Sequence, residues 1–336
     1  MKKILITGGA GFIGYHLTKR LAAKGYKITI VDNFFRSRYD SDLKELLKKP
    51  NVTFVKADLT KEQSWNKLGS GYDEVYHLVG INGTKYFYEI PHEVLRIGVL
   101  TTVNALEWFK NKNKKKNAKI LYTSSNEAYA SGFDLGIVPI PTKEDVPLVV
   151  TDMYNPRWSY GGQKLIGELL FINYARAYNL RMSIVRPHNF YGPRAGYEHV
   201  IPEIVGRIGE RVEPFPIFGS DDTRSFCYIE DAVEAIQKVM ESKKTDGGTY
   251  HIGTSEETLI ENLVEEIFDI TGWHPKKLTI KKSPKGSVKR RLADVSKIKK
   301  DTGWEAKTSL QEGLRKTVEW YMAHPKPEKL WNKLHP

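Results

Sequence analysis

At 336 residues, with 40% hydrophobic and 27% charged side chains, the chain can bury one large core or two unequal ones around a cleft, and its composition is that of a globular protein. No stretch approaches the roughly 18 to 20 continuous apolar residues of a membrane span, which excludes helical membrane proteins. A formal charge of +12 suits an acidic ligand without specifying one, and the single cysteine, Cys227, excludes an intrachain disulfide and points to a reducing cytoplasm.

In chain order, residues 4–7 form an apolar run too short for a secretion signal; it passes straight into glycines and reads as a first strand. Further strands are predicted at 28–31, 53–55, 74–78, 120–122 and 182–185, with amphipathic helical patterns at 13–23, 92–109 and 160–178. Strands alternating with helices of this length call for a parallel sheet covered on both faces, the doubly wound α/β architecture. The densest basic run, Lys110-Asn-Lys-Asn-Lys-Lys-Lys-Asn-Ala-Lys119, lies between a helix and a strand without interleaved aromatics. A solvated loop is favoured there over a nucleic-acid patch. After about residue 190 prolines and glycines become frequent, strands shorten, and helical patterns recur at 229–240, 258–271 and 310–322. This reads as a smaller, discontinuous α/β lobe closing over the carboxyl edge of the sheet, where ligands of such sheets bind. Cys227, in Phe226-Cys-Tyr-Ile229, reads as a small buried hydrophobe, with a nucleophile as the alternative.

Two motifs carry chemistry. Gly8, Gly11 and Gly14 stand in Thr7-Gly-Gly-Ala-Gly-Phe-Ile-Gly14 between the first strand and the first helix. Glycines there permit a tight turn and close backbone approach to a pyrophosphate at a helix N-terminus, with Phe12 and Ile13 in the turn. The second strand ends in Val31-Asp32, where a carboxylate can accept from adenosine ribose hydroxyls and repel a 2′-phosphate. The cofactor expected is therefore NAD, with Asn33 beside Asp32, although Arg36 nearby leaves NADP open. Asp58 and Leu59 follow the third strand; Asp58 can meet the adenine or cap the next helix. Residues 1–190 are expected to bind the cofactor and 191–330 mainly the substrate, with some later segments returning to the first part.

The second motif is Tyr160-Gly-Gly-Gln-Lys164, which sets a phenol and an ammonium on one helix face. The ammonium is expected to lower the phenol's pKa, so that a tyrosinate can take a substrate hydroxyl proton as hydride leaves for nicotinamide. The fifth strand ends in Leu121-Tyr-Thr-Ser-Ser-Asn-Glu-Ala-Tyr129 at the sheet edge, where a hydroxyl can share that proton.

With these segments, with His77-Leu78, with Arg186-Pro-His-Asn-Phe-Tyr-Gly-Pro193, and with Arg291-Leu-Ala-Asp-Val-Ser-Lys297 before Gly303-Trp304, the chain resembles the extended short-chain dehydrogenases that modify nucleotide sugars. The resemblance covers nearly the whole chain. It implies catalytic roles for Ser125, Tyr160 and Lys164, the last also holding the nicotinamide ribose. It further implies a nucleotide-diphosphate sugar as substrate, contacted by Asn189, by His199 and Val200, and by Arg224 and Arg291 around the pyrophosphate. From the residues alone, Arg224 can equally be a surface ion pair and Asn189 a turn residue. The resemblance also implies a homodimer; it implies neither a metal nor a nucleic-acid or membrane partner.

Family members begin by oxidising the sugar at C4 and then epimerise, dehydrate or decarboxylate. Glu127, two residues after Ser125, stands where dehydratases and UDP-glucuronate decarboxylases resemble one another. Asn126 departs from the aspartate of dTDP-glucose dehydratases. Asn155-Pro-Arg-Trp-Ser-Tyr160 is similar to the approach to the catalytic tyrosine in lipid-A-pathway decarboxylases, and Tyr86-Phe-Tyr-Glu-Ile-Pro91 loosely resembles their substrate loop. Lys85 and Arg157 are candidate partners for a substrate carboxylate, and Gly98 replaces an asparagine common in the family. The expected reaction is C4 oxidation followed by decarboxylation or dehydration. Simple 4-epimerisation is the alternative, and a non-catalytic NAD-binding regulator is the alternative of another class.

Overall fold

The computed structural model describes residues 1–283 and 287–326. The first half alternates as expected: β1 (Lys3–Thr7), α1 (Phe12–Ala23), β2 (Lys27–Asp32), α2 (Ser41–Leu47), β3 (Val52–Lys56), α3 (Glu62–Trp65), β4 (Glu74–His77), α4 (Thr84–Glu89), α5 (Pro91–Asn111), β5 (Lys119–Thr123), α6 (Trp158–Tyr178) and β6 (Arg181–Pro187). The second half holds short strands β7 (Phe190–Tyr191), β8 (Phe215–Phe218), β9 (Thr223–Arg224), β10 (Cys227–Tyr228), β11 (Thr249–Ile252), β12 (Thr258–Leu259), β13 (Leu278–Lys281) and β14 (Arg290–Arg291). Its helices are α7 (Val200–Gly209), α8 (Ile229–Glu241), α9 (Ile260–Thr271), α10 (Ser296–Thr302) and α11 (Leu310–Ala323).

Seven strands form one parallel sheet in the order β11-β6-β5-β4-β1-β2-β3. Ile4, Leu5 and Ile6 are wholly buried, because a sheet with helices on both faces leaves its central strands no solvent side. The strand order reverses between β1 and β4, and a crevice opens above their carboxyl ends. The seventh strand, β11, was not among the expected ones: Thr-Tyr-His-Ile is too short and too polar to signal a strand until it pairs with β6. The 258–271 helical pattern begins two residues late, because Thr258 and Leu259 pair with β9 first.

The later segments pack onto the first half. Helix α8 lies against α1, and one hydrophobic cluster runs from Ile4 and Leu17 through Ile236 to Leu263 and Leu314. Cys227 sits in this cluster, and burial pushes its thiol far above the ordinary range, so the hydrophobe reading holds. Three residues of the basic run, Asn113, Ala118 and Lys119, depart from the solvated reading and are buried. Lys119 is buried, its Nζ donating to Val239 O at 2.9 Å and to Thr245 Oγ1 at 2.9 Å with Asp246 alongside, because it opens β5 rather than ending the loop. Among the described residues no helix is long and apolar enough to cross a membrane.

Candidate active site

The crevice is a cleft of about 460 Å³, walled by the β1–α1 turn, the segments after β2 to β5, the start of α6, residues from Pro187 to His199, and Arg291. Gly8 holds φ +71° and donates from its N to Val31 O at 2.8 Å, folding the turn back on β2. A Cβ on Gly14 would lie 2.3 Å from Gly8 O, so the turn and α1 touch backbone to backbone. Helix α1 starts after Gly11 with no side-chain cap and no acidic residue in its first turn, which leaves its positive end open to an anion. The cradle and its dipole fit a dinucleotide diphosphate.

Asp32 accepts from Ala10 N at 3.1 Å, Phe34 N at 2.9 Å and Ser37 Oγ at 2.7 Å, which ties the end of β2 to the glycine turn. Burial raises its pKa, with these bonds opposing. Arg36 turns to Glu198 at 3.5 Å and lies over the Tyr86 ring at 4.8 Å. Phe12, Ile13, Asn33, Asp58 and Leu59 all line the cleft. Asp58 does not cap α3; its carboxylate accepts from Thr60 N and Oγ1, and Lys61 occupies the capping position without a side-chain bond.

Above this lies the second motif. Ser125 lies two residues beyond β5 and faces the Tyr160 phenol, opposing the rise of its pKa, while Glu127 N donates to Ser125 Oγ at 3.2 Å. Tyr160 is buried and stacks on Phe87 with ring centroids 5.0 Å apart. Lys164 Nζ lies 5.6 Å from the Tyr160 ring centre and donates to Thr123 O at 2.7 Å. Burial lowers the Lys164 pKa to about 7, with Glu168 opposing. The expected depression of the Tyr160 pKa is corrected: burial raises it, and the groups that offset burial are Ser125 and Arg36 rather than Lys164.

Helix α6 reaches this position through glycines. A Cβ on Gly161 would meet Glu127 O at 2.5 Å, and one on Gly167 would meet Tyr122 Oη at 2.0 Å. On its other side Gly98 of α5 makes room for Gln163, whose Oε1 would stand 2.0 Å from a Cβ there. The missing asparagine thus coincides with a buried amide from α6.

Glu127 is the electrostatic centre of the cleft wall. Arg291 Nη1 donates to its Oε1 at 2.6 Å, and Arg157 Nη2 approaches the same oxygen at 3.3 Å. Burial would raise the carboxyl, but Arg291 and then Arg157 outweigh it and hold the group below its usual range. Arg157, considered for a substrate carboxylate, is thus engaged by Glu127. Asn126 is buried beside it with its Nδ2 unpartnered.

Of the expected substrate residues, Asn126, Asn189, His199 and Arg291 line the cleft. Lys85, Val200 and Arg224 do not. Lys85 lies half-exposed on α4, 3.9 Å from Glu89; Val200 is exposed at the start of α7; Arg224 turns its Nη2 to Asp222 at 3.2 Å. They stand on α4, α7 and β9, and which way each side chain turns is not revealed by spacing. Phe87 was missed, although it lies in the flagged segment 86–91; its apolar pattern is that of core until Tyr160 is set against it.

A glycine cradle that fits a diphosphate, beside a Ser/Tyr/Lys group on a seven-stranded parallel sheet, has the form of an extended short-chain dehydrogenase. The family model described as GDP-mannose 4,6 dehydratase matches residues 5–317, and the chain belongs to that family. It is 32% identical over 331 residues to the UDP-N-acetyl-alpha-D-glucosaminuronate decarboxylase of Bacillus cytotoxicus, covering 95% of this chain and 98% of the relative. UDP-glucuronic acid decarboxylase 6 of Arabidopsis thaliana is 30% identical over 325 residues, 93% of this chain and 86% of that one. Among solved structures, the UDP-glucuronic acid 4-epimerase of Bacillus cereus in complex with UDP-glucuronic acid and NAD superposes with a TM-score of 0.84 at 26% identity, over 95% of this chain and 98% of the other.

Proposed function

We propose that the protein is an NAD-dependent decarboxylase of a UDP-linked hexuronic acid, acting through transient oxidation at C4. NAD, held by Gly8, Gly11, Phe12, Ile13, Gly14, Asp32, Asn33, Asp58 and Leu59, would supply a reversible hydride acceptor. Tyr160 takes the C4 hydroxyl proton, Ser125 shares it, and Lys164 as an ammonium supports the tyrosinate. The 4-keto group then stands β to the C6 carboxylate. The C5–C6 bond breaks, carbon dioxide leaves, the bonding pair becomes an enolate, and C5 takes a proton from water. Return of hydride to C4, with the Tyr160 proton to its oxygen, closes the cycle without net redox change.

The observation that carries decarboxylation over dehydration is the pair Asn126 and Glu127. Expulsion of a C6 hydroxyl needs an acid. Asn126 is an amide, and Glu127 is held ionised by two guanidiniums, so neither delivers that proton. Loss of carbon dioxide needs no such acid. The two decarboxylase relatives support the same reading.

In this reading residues 1–190 hold the cofactor and most of 191–330 the nucleotide sugar; 284–286 and 327–330 of that range lie outside the described residues. Asn189, His199 and Arg291 face the substrate. Leu95 and Leu100 on α5, with Ile166 and Leu169 on α6, remain exposed, which supports a homodimer through this face. The single buried cysteine supports a reducing cytoplasm.

The test is incubation with UDP-glucuronate, UDP-N-acetylglucosaminuronate, UDP-glucose, dTDP-glucose and GDP-mannose. Carbon dioxide from either acid, without added NAD, is the expected result. A 4-keto-6-deoxy sugar or an inverted C4 centre would replace the proposal with a dehydratase or an epimerase.

A further inference from the structure

At the end of β5 and just beyond it, Thr123, Ser124 and Ser125 each face one residue of α6. Ser125 faces the Tyr160 phenol and opposes the rise of its pKa, Thr123 O accepts from Lys164 Nζ at 2.7 Å, and Ser124 Oγ donates to Glu168 Oε1 at 2.5 Å. Residues 160, 164 and 168 repeat every fourth position, so they form one stripe on the helix. Gly161 and Gly167 allow the stripe to lie against the strand end, since a Cβ at either would collide with Glu127 O or Tyr122 Oη. Two rungs of this ladder belong to the proposed chemistry. The third, Glu168, has had no role.

Glu168 is 2% exposed, and Arg186 of β6 grips it with a planar fork, Nε to Oε1 and Nη2 to Oε2, both at 2.8 Å. Arg186 Nη1 also donates to Glu144 O at 2.8 Å. A buried ion pair is weak as a source of stability, because desolvation consumes most of its attraction. Its placement is more telling. It joins α6 to β6 directly beneath the reacting groups, and it fixes the hydroxyl of the residue that precedes Ser125.

Glu168 also stands one helical turn from Lys164. The groups facing Lys164 are Tyr160 and Glu168 on α6, Tyr122 on β5 and His77 on β4. His77 is buried and kept neutral, and both tyrosines are kept neutral by burial. Glu168 is the carboxylate that favours the ammonium against desolvation.

We propose that Glu168 is a positioning residue of this enzyme: anchored by Arg186, it aligns the Ser124–Ser125 strand end with α6 and keeps Lys164 charged for the tyrosine to work. The inference rests on the catalytic assignment of Ser125, Tyr160 and Lys164 made above.

Glu168→Gln keeps the shape and removes the charge, but it leaves Arg186 buried without an anion and can weaken folding. The companion variant Glu168→Leu with Arg186→Met removes both charges and restores an apolar pair. Decarboxylation rates are followed against pH in both variants, with melting curves to certify folding. The Lys164 Nζ titration is read separately by lysine-selective ¹⁵N NMR, assigned with Lys164→Met. The expected result is an alkaline limb moved down by about one pH unit, a tenfold loss at fixed pH above that limb, with KM changed less than twofold and the Lys164 titration moved in parallel. A folded double variant whose pH profile and Lys164 titration superpose on wild type overturns the proposal. If the wild type turns over none of the acids, the functional reading fails, and the NMR titration still decides the role of Glu168.

Discussion

Replacing Glu127 by glutamine probes the cleft wall most directly. The carboxylate lies 2.6 Å from Arg291 Nη1 and 3.3 Å from Arg157 Nη2, and all three side chains are buried or nearly so. Glutamine preserves volume and one acceptor, but it leaves two guanidiniums facing each other without an anion. Removing one partner from a buried charge cluster costs about 3–5 kcal/mol, a large part of the roughly 5–15 kcal/mol that holds a domain together. The urea midpoint should therefore fall clearly. The chemistry divides differently. The Glu127 charge raises the Tyr160 pKa, so its removal eases proton loss from the phenol. Single-turnover oxidation at C4, followed by absorbance of the reduced cofactor, should survive and extend to lower pH. Release of carbon dioxide should drop by about a hundredfold or more, because the guanidinium pair loses its geometry; about 3 kcal/mol corresponds to that factor. Added sulfate should stabilise the variant more than the wild type by filling the lost anion's place. A variant with an unchanged urea midpoint and wild-type carbon dioxide release would refute the reasoning.

Other outcomes follow from the same structure. His77 and His251 are pushed down to about 3 and His199 to about 4 by burial, so each is neutral when folded and takes up a proton on unfolding below its ordinary pKa of about 6.5. Stability is then full above about pH 6.5 and declines as pH falls toward 4, by about 1.4 kcal/mol per proton per pH unit; urea titrations showing no slope across that window would count against burial of these rings. Gly98→Ala should destabilise by about 1–3 kcal/mol through its contact with Gln163, and Gln163→Ala should rescue it in a double-mutant cycle. Gly14→Ala places a Cβ 2.3 Å from a backbone oxygen, so it should abolish copurifying NAD, read from the ratio of absorbance at 260 and 280 nm.

Much of the architecture was legible along the chain. Continuous apolar runs at β1 and β5 announce strands buried on both faces, and three glycines before a helix announce an anion-binding turn. These are local properties, set by side-chain period and by the absence of Cβ atoms, and they survive without tertiary context. The four-residue spacing of Tyr160, Lys164 and Glu168 is also local, since it follows from the helix. Other features exist only once distant segments meet. Strand β11 becomes a strand by pairing with β6, and Lys119 leaves its basic run because α8 and Thr245 supply acceptors. Glu127 gains its charge state from Arg157, 30 residues away, and Arg291, 164 away. Tyr160 ends with a raised rather than a lowered pKa because the folded chain buries it against Phe87. Residue types and spacings determine which groups can do the chemistry. Burial and long-range charge, which only packing creates, decide which of them hold a proton and which reach the cleft.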